Sequence, residues 1–407
     1  MSHLHSKILL IVTGSIACYK AADLTSKLRQ LGFQIRVVLS NSASQFISPI
    51  TFEALSGEKV YTSLWEKDES LAHIDLVRWS DLVLVAPATA DFIAHLASGR
   101  ANDLPLALSI AHDFKKPFLI APAMNPAMYQ HPATQANLKK LEGWGYSILP
   151  SPKGLMACQE TGNGRMLETP ELIESIHYFL SPKKYKPQNV LVTSGGTAVR
   201  IDSVRYVTNF STGRSGFQLT KSLLRAGHAV TLIRSKNSSQ FDSSLLFYQL
   251  MGSLKIIEFE TPDDLERILN SVASSNQPDA LIQIAAISDF DIVNPSMEKI
   301  DSSNRVSIEL TPRIKTIQTF YKNFPKVPIM AFKLTTKETE ETKVKMKISA
   351  LFKTPSVVKV IHNTLESVRS SKPSYNIWDS NLNLVTKCTG TEELGQWLIE
   401  DLGRIKV

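Results

Sequence analysis

"KILLIVTGSIACYKAADLTSKLRQLGFQIRVVLS" occupies residues 7–40, and its reading decides the fold class. It opens like an export signal, with a basic residue, an apolar run and a small residue before Cys18. The apolar run is only Ile8–Val12, however, shorter than the core of such a signal. The next residues keep apolar side chains at helical spacing as far as Leu31 and stop at Gly32. A second apolar run follows at 34–40. Strand, helix, strand is the pattern this spells.

The alternation continues outward. "DLVLVAPA" (81–88) precedes a helical "TADFIAHLASG", and "PFLIAPA" (117–123) precedes a helix over 133–143 and the run "YSILP" (146–150). Continuous apolar strands separated by helices predict a parallel sheet covered on both faces. Ligands of such sheets bind beyond the carboxyl ends of the strands. "TGS", "SNSAS", "PATAD" and "PAMNPAM" all stand at such ends, so they are expected to converge on one crevice.

"SPKKYKPQN" (181–189), with two prolines and three lysines, reads as a linker. The pattern then restarts. "VLVTSGGT" (190–197) is a strand and a Gly-rich turn. "STGRSGFQLTKSLLRAGHAVTLI" (211–233) is a turn, a helix ending at Gly227 and a strand, and "DALIQIAAISDF" (279–290) is another strand with a polar end. The expectation is two doubly wound α/β domains. The first, 1–180, is flavodoxin-like; the second, 190–407, is Rossmann-like; 181–189 joins them.

Totals narrow the class. At 407 residues, 43% apolar and 20% charged, the chain has enough apolar surface for two cores and is not disordered overall. The net charge of +7 admits a nucleic-acid partner. Yet the basic residues are scattered without a run of five, and a basic enzyme with polyanionic substrates fits better. Neither nucleic acid nor a membrane is an expected partner, since no stretch of about 18 apolar residues exists. Cys18, Cys158 and Cys388 form no C-x-x-C, so neither a disulfide framework nor a zinc site is legible, and a reducing, cytoplasmic setting is expected.

Four constellations carry chemistry. Gly14 and Ser15 in "VTGSIA" sit between a strand and a helix, where backbone N–H groups can receive an anion, although a plain tight turn has the same composition. His73, in "HIDLVRW" before a strand, is either a core histidine or a base near neutral pH. "APAMNPAMYQHP" (121–132) crowds three prolines and two methionines around Asn125. Such a loop is either a stiff connector or the mount for an amide. "GLMACQETGNGRM" (154–166) puts Cys158 in a stretch with three glycines, which suggests a flap bearing a proton donor or an incidental thiol.

"VTGSIACYKA", "HIDLVRW", "APATAD", "APAMNPAMY" and "GLMACQETGNGRM", in this order, resemble the flavin-dependent decarboxylases of cysteine carboxylates. "TSGGT", "DSVRYVTNFSTGRSG", "AAISDF" and "MEKI" resemble phosphopantothenate–cysteine ligase. Together they are similar to the bifunctional coenzyme A biosynthesis proteins of bacteria, over residues 6–400.

The resemblance implies FMN in the first half, bound by Gly14, Ser15, Ser40 and Thr89. It implies that Asn125 holds the substrate carboxylate, because an amide grips that group without neutralising it before it leaves as CO2. His73 would be the base acting on the cysteine thiol, and Cys158 would return a proton. In the second half it implies CTP with Mg2+, joining 4′-phosphopantothenate to cysteine through an acyl-cytidylate. Asn209 would contact that intermediate, Asp289 the ribose and cytosine, Lys299 the phosphates and Phe332 the base, with Lys353 a further nucleotide contact. No metal ligand is singled out. A homo-oligomer, with a dimeric ligase half, is implied as well.

Two motifs depart from the family pattern. "TAD" stands where the family writes "TAN", so Asp91 replaces an amide and is expected to cap the following helix. "KIDS" stands for the Lys-rich "KIKK", with Asp301 and Ser302 in place of lysines.

Overall fold

The computed structural model describes residues 5–65, 71–155, 159–238, 242–303 and 305–404. They form two compact units: Met1–Pro182 with Ser243–Met251, and Lys183–Asp242 with Gly252–Val407.

In the first unit, strands β1 (Lys7–Val12), β2 (Gln34–Leu39), β3 (Val60–Tyr61), β4 (Leu82–Ala88), β5 (Phe118–Pro122) and β6 (Ser147–Ile148) build one parallel sheet. Their order is β3-β2-β1-β4-β5-β6. Leave out the two-residue edge strand β3 and the flavodoxin order remains. The export-signal outline is therefore β1, with five of its six residues buried. All seven residues of β4 are buried, as a strand covered on both faces requires. The helix Cys18–Gln30 follows β1 and buries Ala21, Leu24 and Leu28 on one face. Full burial of each leucine stabilises by roughly 1.5–3 kcal/mol. Gly32 (φ +89°) turns the chain into β2.

A short antiparallel ribbon, β7 (Gly154–Leu155) and β8 (Thr161–Gly162), precedes the helix Thr169–Leu180. That helix receives Ser243–Met251, a segment from within 190–407 that belongs to this unit. Fully buried Tyr248 donates its hydroxyl to Glu174 Oε1 at 2.7 Å, and Phe247 and Tyr248 both pack edge-on to Tyr178.

The second unit contains β9 (Asn189–Ser194), the ribbon β10 (Ala198–Arg200)/β11 (Tyr206–Thr208), β12 (Ala229–Ser235), β13 (Leu254–Phe259) and β14 (Ala280–Gln283). After these come the ribbon β15 (Phe290–Ile292)/β16 (Leu310–Pro312), β17 (Ile329–Thr335), β18 (Val357–Thr364), β19 (Ser374–Trp378) and β20 (Leu384–Thr389). Its large sheet runs β13-β12-β9-β14-β17-β18-β19-β20. The first six strands are parallel in the Rossmann order, and the last two are antiparallel. The strand expected over 279–290 ends at Gln283. Thr193 Oγ1 takes the N–H groups of Ile284 and Ala285, both at 3.2 Å, and draws that backbone off the ladder.

Residues 183–185 are tied into the second unit. Lys183 Nζ donates to the carbonyl of Arg225 at the end of the helix Arg214–Arg225, and Tyr185 packs where Gly403 has no Cβ. Among the described residues no helix is long and apolar enough to cross a membrane.

Candidate active sites

In the first unit the strand order reverses between β1 and β4, which opens a crevice at their carboxyl ends. Thr13 closes its base: its Oγ1 donates to Pro87 O at 2.8 Å and accepts from Thr89 N–H at 3.0 Å. Thr89 caps the helix Ala90–Ala97, its Oγ1 accepting from Phe92 N–H at 3.2 Å. Asp91 is therefore not the cap. It is an exposed first-turn residue 3.4 Å from His95 Nδ1, because a cap oxygen must come from the residue before the first helical turn.

Ser40 follows β2. Its N–H donates to Val12 O at 3.0 Å and its Oγ accepts from Ala43 N–H at 3.1 Å. That turn lies against Gly14, where a Cβ would stand 2.4 Å from Ser42 Cβ. Ser15 Oγ accepts from Ala17 N–H. Among the described residues the N–H groups of Gly14, Ser15 and Ile16 meet no acceptor. Gly14, Ser15, Ser40 and Thr89 thus gather at three adjoining strand ends, around free backbone donors.

Asn125 begins the helix Pro126–Gln130. Its Oδ1 accepts from Met128 N–H at 2.8 Å, and its Nδ2 meets no acceptor among the described residues. The cap settles which end of the amide stays free: a donor end, suited to an anion. The ribbon that follows in sequence packs on this loop. Met124 N–H donates to Gly164 O at 3.0 Å, and a Cβ on Gly162 would lie 2.7 Å from Pro126 Cβ. Buried Lys20 secures the segment between the ribbon and the helix Thr169–Leu180, its Nζ 2.8 Å from Glu168 Oε1 and 3.3 Å from Met166 O. Burial raises the Glu168 carboxyl's pKa, but Lys20 and Arg165 outweigh it and hold it below the ordinary value. Cys158 lies outside the described residues. His73 is half-buried on the first turn of the helix Ala72–Trp79. That helix leads into the amino end of β4, so its start points towards the carboxyl edge of the sheet.

The second unit has the matching crevice between β9 and β14, bridged by Gly196 and Ala286. An open cleft of about 1590 Å³ extends from it, lined among others by Gly195, Asn209, Asp289 and Phe332. Asn209 Nδ2 donates to Ala286 O at 3.2 Å, and its backbone carbonyl fills the place of a Gly196 Cβ, 2.5 Å away. Gly195 (φ +91°) takes the left-handed turn that leads in. Phe332 packs edge-on to Tyr375, whose hydroxyl is 3.2 Å from Ser215 Oγ.

Lys299 and Lys353 are not on this lining. Lys299 precedes Ile300, whose N–H and carbonyl are held by Asp202 and Arg205; Lys353 follows the helix Glu341–Phe352. Sequence reasoning overlooked Arg313, Lys315 and Lys333, which do line the cleft. Arg313 is clasped by Asp263, Asp291 at 3.0 Å and Glu266 at 3.4 Å, and Lys315 Nζ is 3.5 Å from Asp289 Oδ1. The signal available was a basic residue beside a strand end, in "TPRIKT" and "AFKLTT". Among the described residues no group of three or more His, Cys, Asp or Glu is placed to hold a metal ion.

Residues 2–181 match the family model described as Flavoprotein, and 185–365 match the DNA/pantothenate metabolism flavoprotein C-terminal domain. The chain is 36% identical over 309 residues to the coenzyme A biosynthesis bifunctional protein CoaBC of Vibrio vulnificus, covering 75% of this chain and 74% of the relative. It is 35% identical over 314 residues to the protein of the same name from Escherichia coli, covering 76% and 74%. Among solved structures, the DNA/pantothenate metabolism flavoprotein from Streptococcus pneumoniae is 27% identical, with a TM-score of 0.46, and covers 53% of this chain and 98% of its own. A PPC decarboxylase mutant complexed with pantothenoylaminoethenethiol is also 27% identical, with a TM-score of 0.40, over 44% and 100%.

Proposed function

This chain belongs to the bifunctional coenzyme A biosynthesis proteins, and we propose that its two crevices divide the work, ligation in the second unit and decarboxylation in the first. It is a phosphopantothenate–cysteine ligase and phosphopantothenoylcysteine decarboxylase. The observation that carries the reading is Asn125, whose oxygen is committed to Met128 and whose free N–H groups suit a carboxylate.

The flavin is FMN. The uncommitted N–H groups of Gly14 to Ile16, with Ser15, Ser40 and Thr89 beside them, fit its phosphate, so the residues present suit the group. Bound FMN supplies the two-electron chemistry at the cysteine carbon and sulfur. Asn125 donates to the substrate carboxylate without a counter-charge, so the carboxylate remains free to leave as CO2. His73 takes the thiol proton. Cys158 returns a proton as 4′-phosphopantetheine forms.

In the second unit the nucleotide is CTP, carried with Mg2+ on its phosphates. It converts the carboxylate of 4′-phosphopantothenate to an acyl-cytidylate, which the cysteine amine attacks. The Gly195–Gly196 turn and "STGRSG" offer backbone donors to phosphates, Phe332 an apolar wall for the base and Asp289 a polar partner for the sugar and base. Asn209 meets the acyl-cytidylate. Lys299 neutralises charge developing on phosphate, and Lys353 is a further nucleotide contact; both would reach the nucleotide from outside the present lining. The decarboxylase domain is 1–180 with Ser243–Met251 added to it, and the ligase domain is the rest of 190–407, with the expected linker 181–189 belonging from Lys183 onward to the ligase unit. The protein works in the cytoplasm as a homo-oligomer, with the ligase domain dimeric.

The test supplies 4′-phosphopantothenate, cysteine, CTP and Mg2+ and follows pyrophosphate and CO2 together. Equal yields of both, with 4′-phosphopantetheine as product, are expected. Pyrophosphate without CO2, or CO2 only from supplied 4′-phosphopantothenoylcysteine, would remove one of the two activities.

A further inference from the structure

We infer that Lys333 binds a substrate oxyanion, a phosphate or carboxylate, in the cleft of the second unit; this rests on the ligase reading of that cleft. The cationic side chains on its lining are Arg214, Arg313, Lys315, Lys333, Arg369 and Lys372. They fall into three groups. Arg214, Arg369 and Lys372 are exposed and keep their hydration. Arg313 and Lys315 have carboxylate partners in the protein. Lys333 alone among the described cleft cations is half-buried and makes neither an ion pair nor a side-chain hydrogen bond with described residues.

Its place in the sheet explains this. β17 pairs with β14 only through Ala331, which is opposite Gln283, and then runs on to Thr335 against β18 alone. Lys333 is on that overhang, beside Phe332 and paired in register with His362. Alternation puts it on the face of Ile329 and Ala331, which pack in the core, so its stem crosses apolar surface to reach the cleft. The charges that act on it are Lys315, Asp289 and Lys347. Asp289 is already paired with Lys315, so the one carboxylate acting on the ammonium is shared, while Lys315 and Lys347 add like charge. Burial, with Lys315 adding repulsion, lowers the pKa of that ammonium.

A cation that has given up part of its hydration and gained no partner costs the free protein stability. An oxyanion entering the cleft removes that penalty and adds a charge-assisted hydrogen bond. The arrangement favours binding over stability. A purely structural lysine would be expected to have a partner.

Two variants test it, Lys333→Gln and Lys333→Arg, each assayed for ligation with KM measured separately for CTP and for 4′-phosphopantothenate. Lys333→Gln should raise one of these KM values about 10- to 100-fold, as loss of one charge-assisted contact does. Lys333→Arg should restore most of it. The substrate affected identifies the oxyanion: CTP points to the nucleotide phosphates, 4′-phosphopantothenate to its phosphate or carboxylate. The thermal midpoint of the ligand-free Lys333→Gln protein should equal or exceed that of the parent. Unchanged KM for both substrates, or a fall in midpoint with KM unchanged, overturns the inference. A parent protein that does not ligate at all would overturn the ligase reading instead.

Discussion

Gly164 and Met124 meet backbone to backbone: the N–H of Met124 donates to Gly164 O at 3.0 Å, and a Cβ on Gly164 would lie 2.4 Å from Met124 O. Gly164 has φ +120°, outside the range that residues with a side chain adopt readily. The ribbon strand β8 and the Asn125 loop are thus held in one piece by a position that only glycine fills.

Gly164→Ala should therefore separate them. Strain of order 1–3 kcal/mol from the backbone, added to the overlap, lowers the thermal midpoint of the first unit. Decarboxylation of supplied 4′-phosphopantothenoylcysteine should fall at least about tenfold, since small misplacement of a positioning group is costly. A variant with parental midpoint and rate would show that the contact is dispensable.

At Asn125 the observed helix cap and the proposed substrate contact can be told apart. Aspartate can still accept from Met128 N–H and cap the helix, so Asn125→Asp should keep its thermal midpoint. It sets like charge against the substrate carboxylate and should lose decarboxylation about 10²-fold or more. Asn125→Ala loses the cap as well, at about 1 kcal/mol. Retained turnover in Asn125→Asp would end the assignment.

Lys299→Gln should depress ligation by about 10²–10³ if its charge meets phosphate in the reaction. Decarboxylation of supplied 4′-phosphopantothenoylcysteine should stay at the parental rate, because the residue lies in the other unit. Ligation at the parental rate would leave Lys299 outside the site, consistent with its absence from the cleft lining. A matching fall in both rates would contradict separate domains.

Acid should destabilise the protein through three buried histidines. Burial holds the pKa of His112, His228 and His362 below the ordinary value. Each therefore binds its proton more readily once unfolded, so unfolding takes up protons and stability rises with pH. Their contribution is complete above the unfolded value of about 6.5 and is lost progressively as pH falls towards the lower folded values. Thermal midpoints measured from pH 7.5 to 5 should drop, and His362→Gln should flatten part of that slope. A midpoint that is constant or rises on acidification would refute it.

Much of the fold was legible. The runs 34–40, 81–88 and 117–123 correspond to β2, β4 and β5 within a residue or two, because strands buried on both faces admit few polar residues and stand out in any sequence. The strand predicted over 279–290 was too long, since its polar end is diverted by the hydroxyl of Thr193, ninety-one positions away in sequence. The cap assigned to Asp91 belongs to Thr89, two positions earlier, which periodicity alone does not separate.

The sequence by itself determined that the chain alternates strand and helix twice over, and which loops stand at the strand ends. Those are local matters, set by apolar spacing, glycine and proline. Tertiary structure decided which loops share a site. Asn125 is joined to the ribbon near Gly164, Lys20 reaches Glu168 across 148 positions, and Lys333 shares a cleft with Lys315, because sheet order and register bring distant segments together. Whether a lysine is solvated or stripped of water likewise depends on what folds over it, and neither its own residue type nor its neighbours in sequence carry that information.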